Sequence, residues 1–128
     1  NNFDDRTDII LIDSYGETSK FYDIAKYVFL GKSLVKSLAE DSGQNPIEPA
    51  RLGCKILHGP YVSNFAETYN YLKKLGITEE VNDSKELSLS LIEELQKDKP
   101  KNHEIALKIE SYGQNILNNV IMELKKYI

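Results

Sequence analysis

The chain has 128 residues, of which 41% are apolar and 28% charged, and a net charge of −4. That length suits one domain over residues 1–128, able to bury roughly two-thirds of the surface its unfolded form exposes, and the composition is too apolar for a disordered chain. The acidic balance, with no basic stripe interleaved with aromatics, excludes a general nucleic-acid binder; the lone Cys54 points to a reducing compartment; the lack of a leader or of an apolar run near ~18 residues predicts a soluble chain.

In chain order, the first predicted element is the run Ile9–Ile12, uninterrupted and rich in β-branched side chains, which suits a strand buried on both faces of a parallel sheet. Helical periodicity follows over Thr18–Lys26, and then a second short strand over Tyr27–Gly31. A brief helix is expected over Pro46–Leu52, a third strand over Lys55–Gly59, and a helix over Phe65–Leu75 that stops at Gly76. A weaker strand is expected over Ile77–Val81. Asp83 followed by Glu86 is a capping pattern for a helix reaching about Gln96. The last helix begins after Pro100, and its stripe of Ile105, Ile109, Tyr112, Ile116, Val120 and Leu124 predicts a face packed against something. No internal repeat or low-complexity tract is present. The alternation of strand and helix indicates an α/β domain with a mostly parallel sheet.

In open α/β sheets ligands collect beyond the carboxyl ends of the strands. Three loops there are unusual: DSYGET after the first strand, GKSLVKSLAEDSGQN after the second and GPYVSN after the third. In the second loop and the helix it leads into, Pro46 fits a first helical position, Asn45 an N-cap and Glu48 the third helical residue, so NPIE reads as a capping box with an amide in place of a hydroxyl. Capping leaves Gly43 and Gln44 unexplained. A glycine there permits close backbone approach by a ligand, and a helix start offers N–H groups to an anion such as phosphate. Glu48 would repel a phosphate on the same spot, but suits the vicinal hydroxyls of a ribose. The residues alone leave nucleotide binding and plain capping both open.

DSYGET, GKSLV, SGQNPIEPARLG and GPYVSNF stand in the order and approximate spacing of the C-terminal half of the Kdo transferases, which add 3-deoxy-D-manno-octulosonic acid (Kdo) to the lipid A precursor in lipopolysaccharide biosynthesis. The chain resembles that family from about Asp8 to Leu75. It departs at Lys32, where the family has the second glycine of Gly-Gly-Ser, and at Ser42, where the family has a glycine paired with the one matching Gly43. The resemblance implies a Rossmann-like parallel sheet flanked by helices, forming part of the C-terminal half of a two-domain glycosyltransferase of the GT-B type. That half would hold the donor CMP-Kdo. The N-terminal half, outside this chain, would hold the lipid acceptor and the general base, so no catalytic residue is expected here and the piece alone is expected to be inactive. Carried over, Asn45 and Glu48 match residues that contact the CMP moiety, Gln44 and Gly43 belong to the loop that closes over the donor, and Gly31 and Ser33 form the opposite lip. No metal or other cofactor is expected, in keeping with the absence of a His, Cys or carboxylate cluster at ligand spacing. The parent would work at the cytoplasmic face of the bacterial inner membrane, with no direct membrane contact from this acidic piece. A different GT-B enzyme using another nucleotide sugar, and a non-catalytic α/β interaction domain, remain the alternatives.

Other conspicuous residues have plainer readings. Gly16 is expected to supply a permissive backbone angle, and Glu17 either caps the next helix or touches a ligand. His58 is expected to be partly buried and hydrogen-bonded, His103 solvent-facing, and Cys54 a small buried filler. Phe65, Tyr69, Tyr71 and Leu72 read as core, and Asn64 with Glu67 as a further capping box.

Overall fold

The structure is a computed structural model that describes residue 4 and residues 6–128. Its strands, β1 (Tyr27–Leu30), β2 (Lys55–His58) and β3 (Thr78–Glu80), form a parallel sheet in the order β1-β2-β3. β2 is central, with Val28 opposite Ile56 and Ile56 opposite Thr78. The helices are α1 (Thr18–Ile24), α2 (Ile47–Arg51), α3 (Ala66–Lys74), α4 (Ser84–Lys97) and α5 (Glu104–Lys125). Short 3-10 turns cover Lys36–Asp41 and Ser63–Phe65. The fold is thus α/β, a parallel sheet flanked by helices, as a Rossmann-like fragment requires.

Neighbouring residues of β2 point to opposite faces of the sheet. Ile56 and Leu57 are both fully buried, so both faces are covered. On the Ile56 face, Ala50 of α2, Tyr69 and Leu72 of α3, and Ile105 and Ile109 of α5 close the core around Leu30 and Ile56. The other face carries Tyr27 and Glu79, and there α4 is attached by the Tyr27 hydroxyl donating to the Glu94 carbonyl (2.7 Å) and the Ser90 hydroxyl donating to Glu79 (2.7 Å). Each fully buried Ile or Leu contributes roughly 1.5–3 kcal/mol, so the core is anchored on β2.

Local signals account for the helix ends. Asp83 accepts from the Glu86 N–H (2.8 Å) at the start of α4 as predicted, while the Glu86 carboxylate reaches back to the Asn82 N–H (2.8 Å). After α3, Gly76 adopts φ +72° and donates to the Lys73 carbonyl, a left-handed C-terminal stop. Gly16 has φ +80°, and Glu17 holds the N-cap position of α1 without a side-chain cap, its carboxylate accepting from Ser14 and Lys20 instead. Cys54 is buried in the α1–β2 region, its thiol donating to the Tyr22 and Ala25 carbonyls (both 3.2 Å), and burial pushes its pKa up.

Three expectations are corrected. Ile9–Ile12 is no strand: its side chains are 41–91% exposed and it pairs with nothing in the sheet. A β-branched run becomes a strand only when a ladder partner and two covering layers are at hand. Here the helix that follows, α1, packs on α2 and buries no residue of its own, so it does not deliver the run to a sheet edge. Asn64 and Glu67 make no capping box, because Asn64 lies inside the 3-10 turn and the N-cap of α3 is Phe65, with no side-chain cap. The stripe of α5 is packed only in its first half: Ile105 and Ile109 are buried and Tyr112 stacks on Tyr71 (ring centroids 3.9 Å), whereas Ile116, Val120 and Leu124 are exposed.

His58 ends β2 inside the protein, tilted against the Tyr69 ring at 4.4 Å, with Nδ1 2.7 Å from the Gly59 carbonyl. Burial lowers its pKa below the ordinary value, outweighing the Gly59 hydrogen bond and Glu80. The unfolded chain therefore takes up a proton at higher pH than the folded one, and the contribution of His58 is full above about pH 6.5 and lost as pH falls toward the lowered folded value. In urea unfolding at pH 7.5, 6.5 and 5.5, the stability advantage of the chain over His58→Phe is expected to shrink on acidification by at most about 1.4 kcal/mol per pH unit. A difference that stays constant with pH would contradict this.

Candidate functional site

The loops that leave the carboxyl ends of β1 and β2 are knitted together by small residues. Ser33, fully buried, donates its hydroxyl to the Leu30 carbonyl (2.6 Å), closing the end of β1 on itself, and accepts from the Gly59 N–H (2.9 Å) at the end of β2. The Ser33 carbonyl takes the Tyr61 N–H (2.9 Å). The contact is so close that a Cβ on Gly59 would stand 2.1 Å from the Ser33 carbonyl oxygen. Farther along, Ser42, also fully buried, shares a hydrogen bond with the Ser63 hydroxyl (2.9 Å) and accepts from the Ser63 N–H (3.3 Å).

Gly43 turns the chain with φ +83°, donates to the Lys32 carbonyl (2.9 Å) and lies against Val62, whose Cα would be 3.1 Å from an added Cβ. The close approach that its glycine permits is therefore to the protein's own GPYVSN loop. The Gln44 carbonyl accepts from the buried Tyr69 hydroxyl (2.9 Å), while the residue itself is exposed. Gly31 is exposed, needs no unusual φ and has open space where a side chain would go. Beside it, Lys32 is held at φ +55°, a left-handed conformation that costs an L-residue roughly 1–2 kcal/mol. It occupies the position of the second glycine in the Gly-Gly-Ser that the family resemblance implies.

The expected N-cap at Asn45 is corrected by one position: the N-cap of α2 is Pro46 (φ −85°), without a side-chain cap, and Asn45 precedes it, its Oδ1 accepting from the Ile47 N–H (3.0 Å). Glu48 does not close the capping box. Its carboxylate accepts from the Ser19 hydroxyl of α1 and opens on a hollow of about 310 Å³ between α1, α2 and α5, lined by Ser19, Glu48, Arg51, Leu52, Ala106 and Glu110. That volume lies at the small end of ligand pockets, about 300–1,000 Å³. Arg51 pairs with Glu110 across it (3.7 Å).

Gly31, Ser33, Gly43 and Gln44 thus gather in the loop knot, Asn45 sits at the junction with α2, and Glu48 faces the helix-lined hollow. The first turn of α2 is poor in donors, since Pro46 and Pro49 have no N–H and that of Ile47 goes to Asn45. Sequence reasoning missed Ser42, Gly59, Ser63 and the Tyr69 hydroxyl as the residues that hold this geometry. Gly59 could have been found, because a glycine directly after a strand marks a close backbone approach. The serines carry no such signal. Among the described residues, no three His, Cys, Asp or Glu side chains converge as a metal ion would need, and no helix is long and apolar enough to cross a membrane.

No protein-family model matches the chain. Among curated proteins it is 26% identical, over 121 residues and 94% of its length, to the 3-deoxy-D-manno-octulosonic acid transferase of Aquifex aeolicus (strain VF5), covering 31% of that protein. It is 35% identical, over 80 residues and 62% of its length, to the transferase of the same name from Haemophilus influenzae (strain ATCC 51907 / DSM 11121 / KW20 / Rd), covering 18% of it. The chain spans less than a third of either relative.

Two backbone predictions follow from the knot. Gly59→Ala forces the Ser33 loop away and is expected to cost about 3 kcal/mol or more, against less than about 0.5 kcal/mol for Gly31→Ala, measured by urea unfolding; similar costs at the two positions would refute the close contact. Lys32→Gly removes the left-handed penalty at some cost in chain entropy and is expected to stabilise by roughly 0.5–1 kcal/mol, seen as a rise in the urea midpoint. A lower midpoint would show that the conformation is not strained.

Proposed function

We propose that this chain, a relative of the Kdo transferases, forms part of the donor-nucleotide-binding half of an inverting GT-B glycosyltransferase that moves Kdo from CMP-Kdo to the lipid A precursor. The observation that carries this reading is the Glu48 carboxylate, exposed at the mouth of a hollow instead of sealed in the core, in the Asn-Pro-Ile-Glu block that the resemblance assigns to the CMP moiety. Sequence similarity running along 94% of the chain to one transferase supports it.

In this reading Glu48 accepts hydrogen bonds from the ribose hydroxyls, sharing its oxygens with Ser19. The donor-poor first turn of α2 shifts phosphate recognition to side chains. Gln44 and Asn45 are both exposed, and with its Oδ1 engaged by Ile47, Asn45 retains its amide NH2 as a donor. The reaction is displacement at the anomeric carbon with inversion. An acceptor hydroxyl, deprotonated by a base on the other half of the enzyme, forms the new C–O bond as the bond to the CMP phosphate breaks and the electron pair leaves with CMP. Oriented donors that need no reorganisation stabilise the charge growing on the phosphate. The Gly59–Ser33 and Ser42–Ser63 contacts supply that rigidity from below. The lipid acceptor places the parent at the cytoplasmic face of the bacterial inner membrane.

The Asn45–Ile47 and Ser19–Glu48 hydrogen bonds also favour a second reading, a non-catalytic α/β interaction domain in which Glu48 is structural. The two readings separate in the full-length polypeptide. Glu48→Ala is expected to lower kcat/KM for CMP-Kdo about ten- to a hundredfold, the loss of one or two charge-assisted hydrogen bonds, while the melting temperature moves by no more than a few degrees. Unaltered kinetics, or lost activity accompanied by unfolding, would favour the structural reading.

A further inference from the structure

A buried side chain of α3 reaches the loop that carries the exposed amides. The Tyr69 ring lies in the core, tilted against His58 at the end of β2, and its hydroxyl donates to the Gln44 carbonyl (2.9 Å), 25 residues earlier in the chain. Burial pushes the pKa of that hydroxyl up, so it keeps the proton it donates. Filling the core does not call for the hydroxyl, since a phenylalanine ring would occupy the same space without a polar group to satisfy. Nor does the loop need it as a tether. Ser42 and Gly43, just before Gln44, already fasten the chain to Ser63, Lys32 and Val62. Gln44 is exposed, and water could satisfy its carbonyl equally well. What the hydroxyl adds is direction.

A trans peptide unit is planar, and its C=O and N–H point opposite ways. The Gln44 carbonyl and the Asn45 N–H belong to one such unit. With the oxygen drawn inward to Tyr69, the N–H is turned outward, at a residue that is itself exposed. We infer that Tyr69 is a positioning residue for the transfer reaction: its hydroxyl fixes the Gln44–Asn45 peptide so that the Asn45 N–H faces the phosphate of the nucleotide donor before the bond to that phosphate breaks. The inference rests on the donor reading given to Asn45 and Glu48. It supplies a backbone donor just ahead of a turn in which Pro46 and Pro49 have none. A donor already held in place stabilises the charge growing on the phosphate without reorganisation, whereas one on a loose peptide must first be turned. Because that charge develops as the bond breaks, loss of the orientation falls on kcat more than on KM.

The test compares two variants of the full-length polypeptide that delete the same chemical group. Tyr69→Phe removes the hydroxyl that meets Gln44, and Tyr27→Phe removes one that donates to the Glu94 carbonyl (2.7 Å) at the amino end of β1, away from the loops. Both are expected to lower the melting temperature by a similar few degrees. With CMP-Kdo as donor, well below either transition, Tyr69→Phe is expected to lower kcat about three- to tenfold and to alter KM less than about twofold, while Tyr27→Phe leaves both as they were. Equal kinetics in the two variants, a loss confined to KM, or lost activity in a Tyr69→Phe protein that melts far below Tyr27→Phe would overturn the inference. Glu48→Ala, measured alongside, separates it from the reading on which it rests. Activity lost in Glu48→Ala but kept in Tyr69→Phe removes the positioning role alone, whereas activity kept in both removes the donor reading as well.

Discussion

The architecture depends on one contact, the meeting of Gly59 with Ser33 across the carboxyl ends of β1 and β2. Parallel neighbours in a sheet are separated by long connections, so their loops have no covalent reason to stay together. Here a buried hydroxyl spans them, closing β1 through the Leu30 carbonyl and receiving the Gly59 N–H. The fit tolerates no side chain at position 59. With that point secured, the Ser42–Ser63 pair and the packing of Gly43 on Val62 bring the long second loop down onto the third, the Gly43–Lys32 hydrogen bond closes that loop on itself, and α2 starts from a fixed origin. The exposed amides at Gln44 and Asn45 are thus borne on backbone held from beneath.

Most of the framework was legible in the sequence because its signals are local. The apolar runs at Tyr27–Gly31 and Lys55–Gly59, the stop at Gly76 and the Asp83 cap each declare themselves within a few residues, and each is found. What failed depends on company. Among the described residues, Ile9–Ile12 has the composition of a strand but no strand beside it, and the far half of the α5 stripe has the periodicity of a packed face but is left exposed. Periodicity reports that a face is fit for burial and is silent about what buries it.

The candidate site divides along the same line. The motif Asn-Pro-Ile-Glu announced a helix start, and α2 begins there, although its N-cap is Pro46 and Asn45 meets the Ile47 N–H from one residue earlier. The direction of Glu48 was not legible, because its choice of Ser19 over the reciprocal cap depends on α1 lying beside α2 in space. Nor was the role of Ser33, which reads as a polar lip residue and is instead a buried tie. Sequence patterns name the residue types that chemistry needs; side-chain directions are set by packing between elements distant in the chain.

The thiol of Cys54 has a practical corollary. It is the single cysteine in these 128 residues, buried beside a cavity of about 230 Å³ that it helps to line, engaged with two carbonyl oxygens and raised in pKa, so little of the reactive thiolate forms. The folded chain should accordingly react slowly with maleimides, and a spin label or fluorophore would attach first at an engineered surface thiol while the native sulfur is left in place.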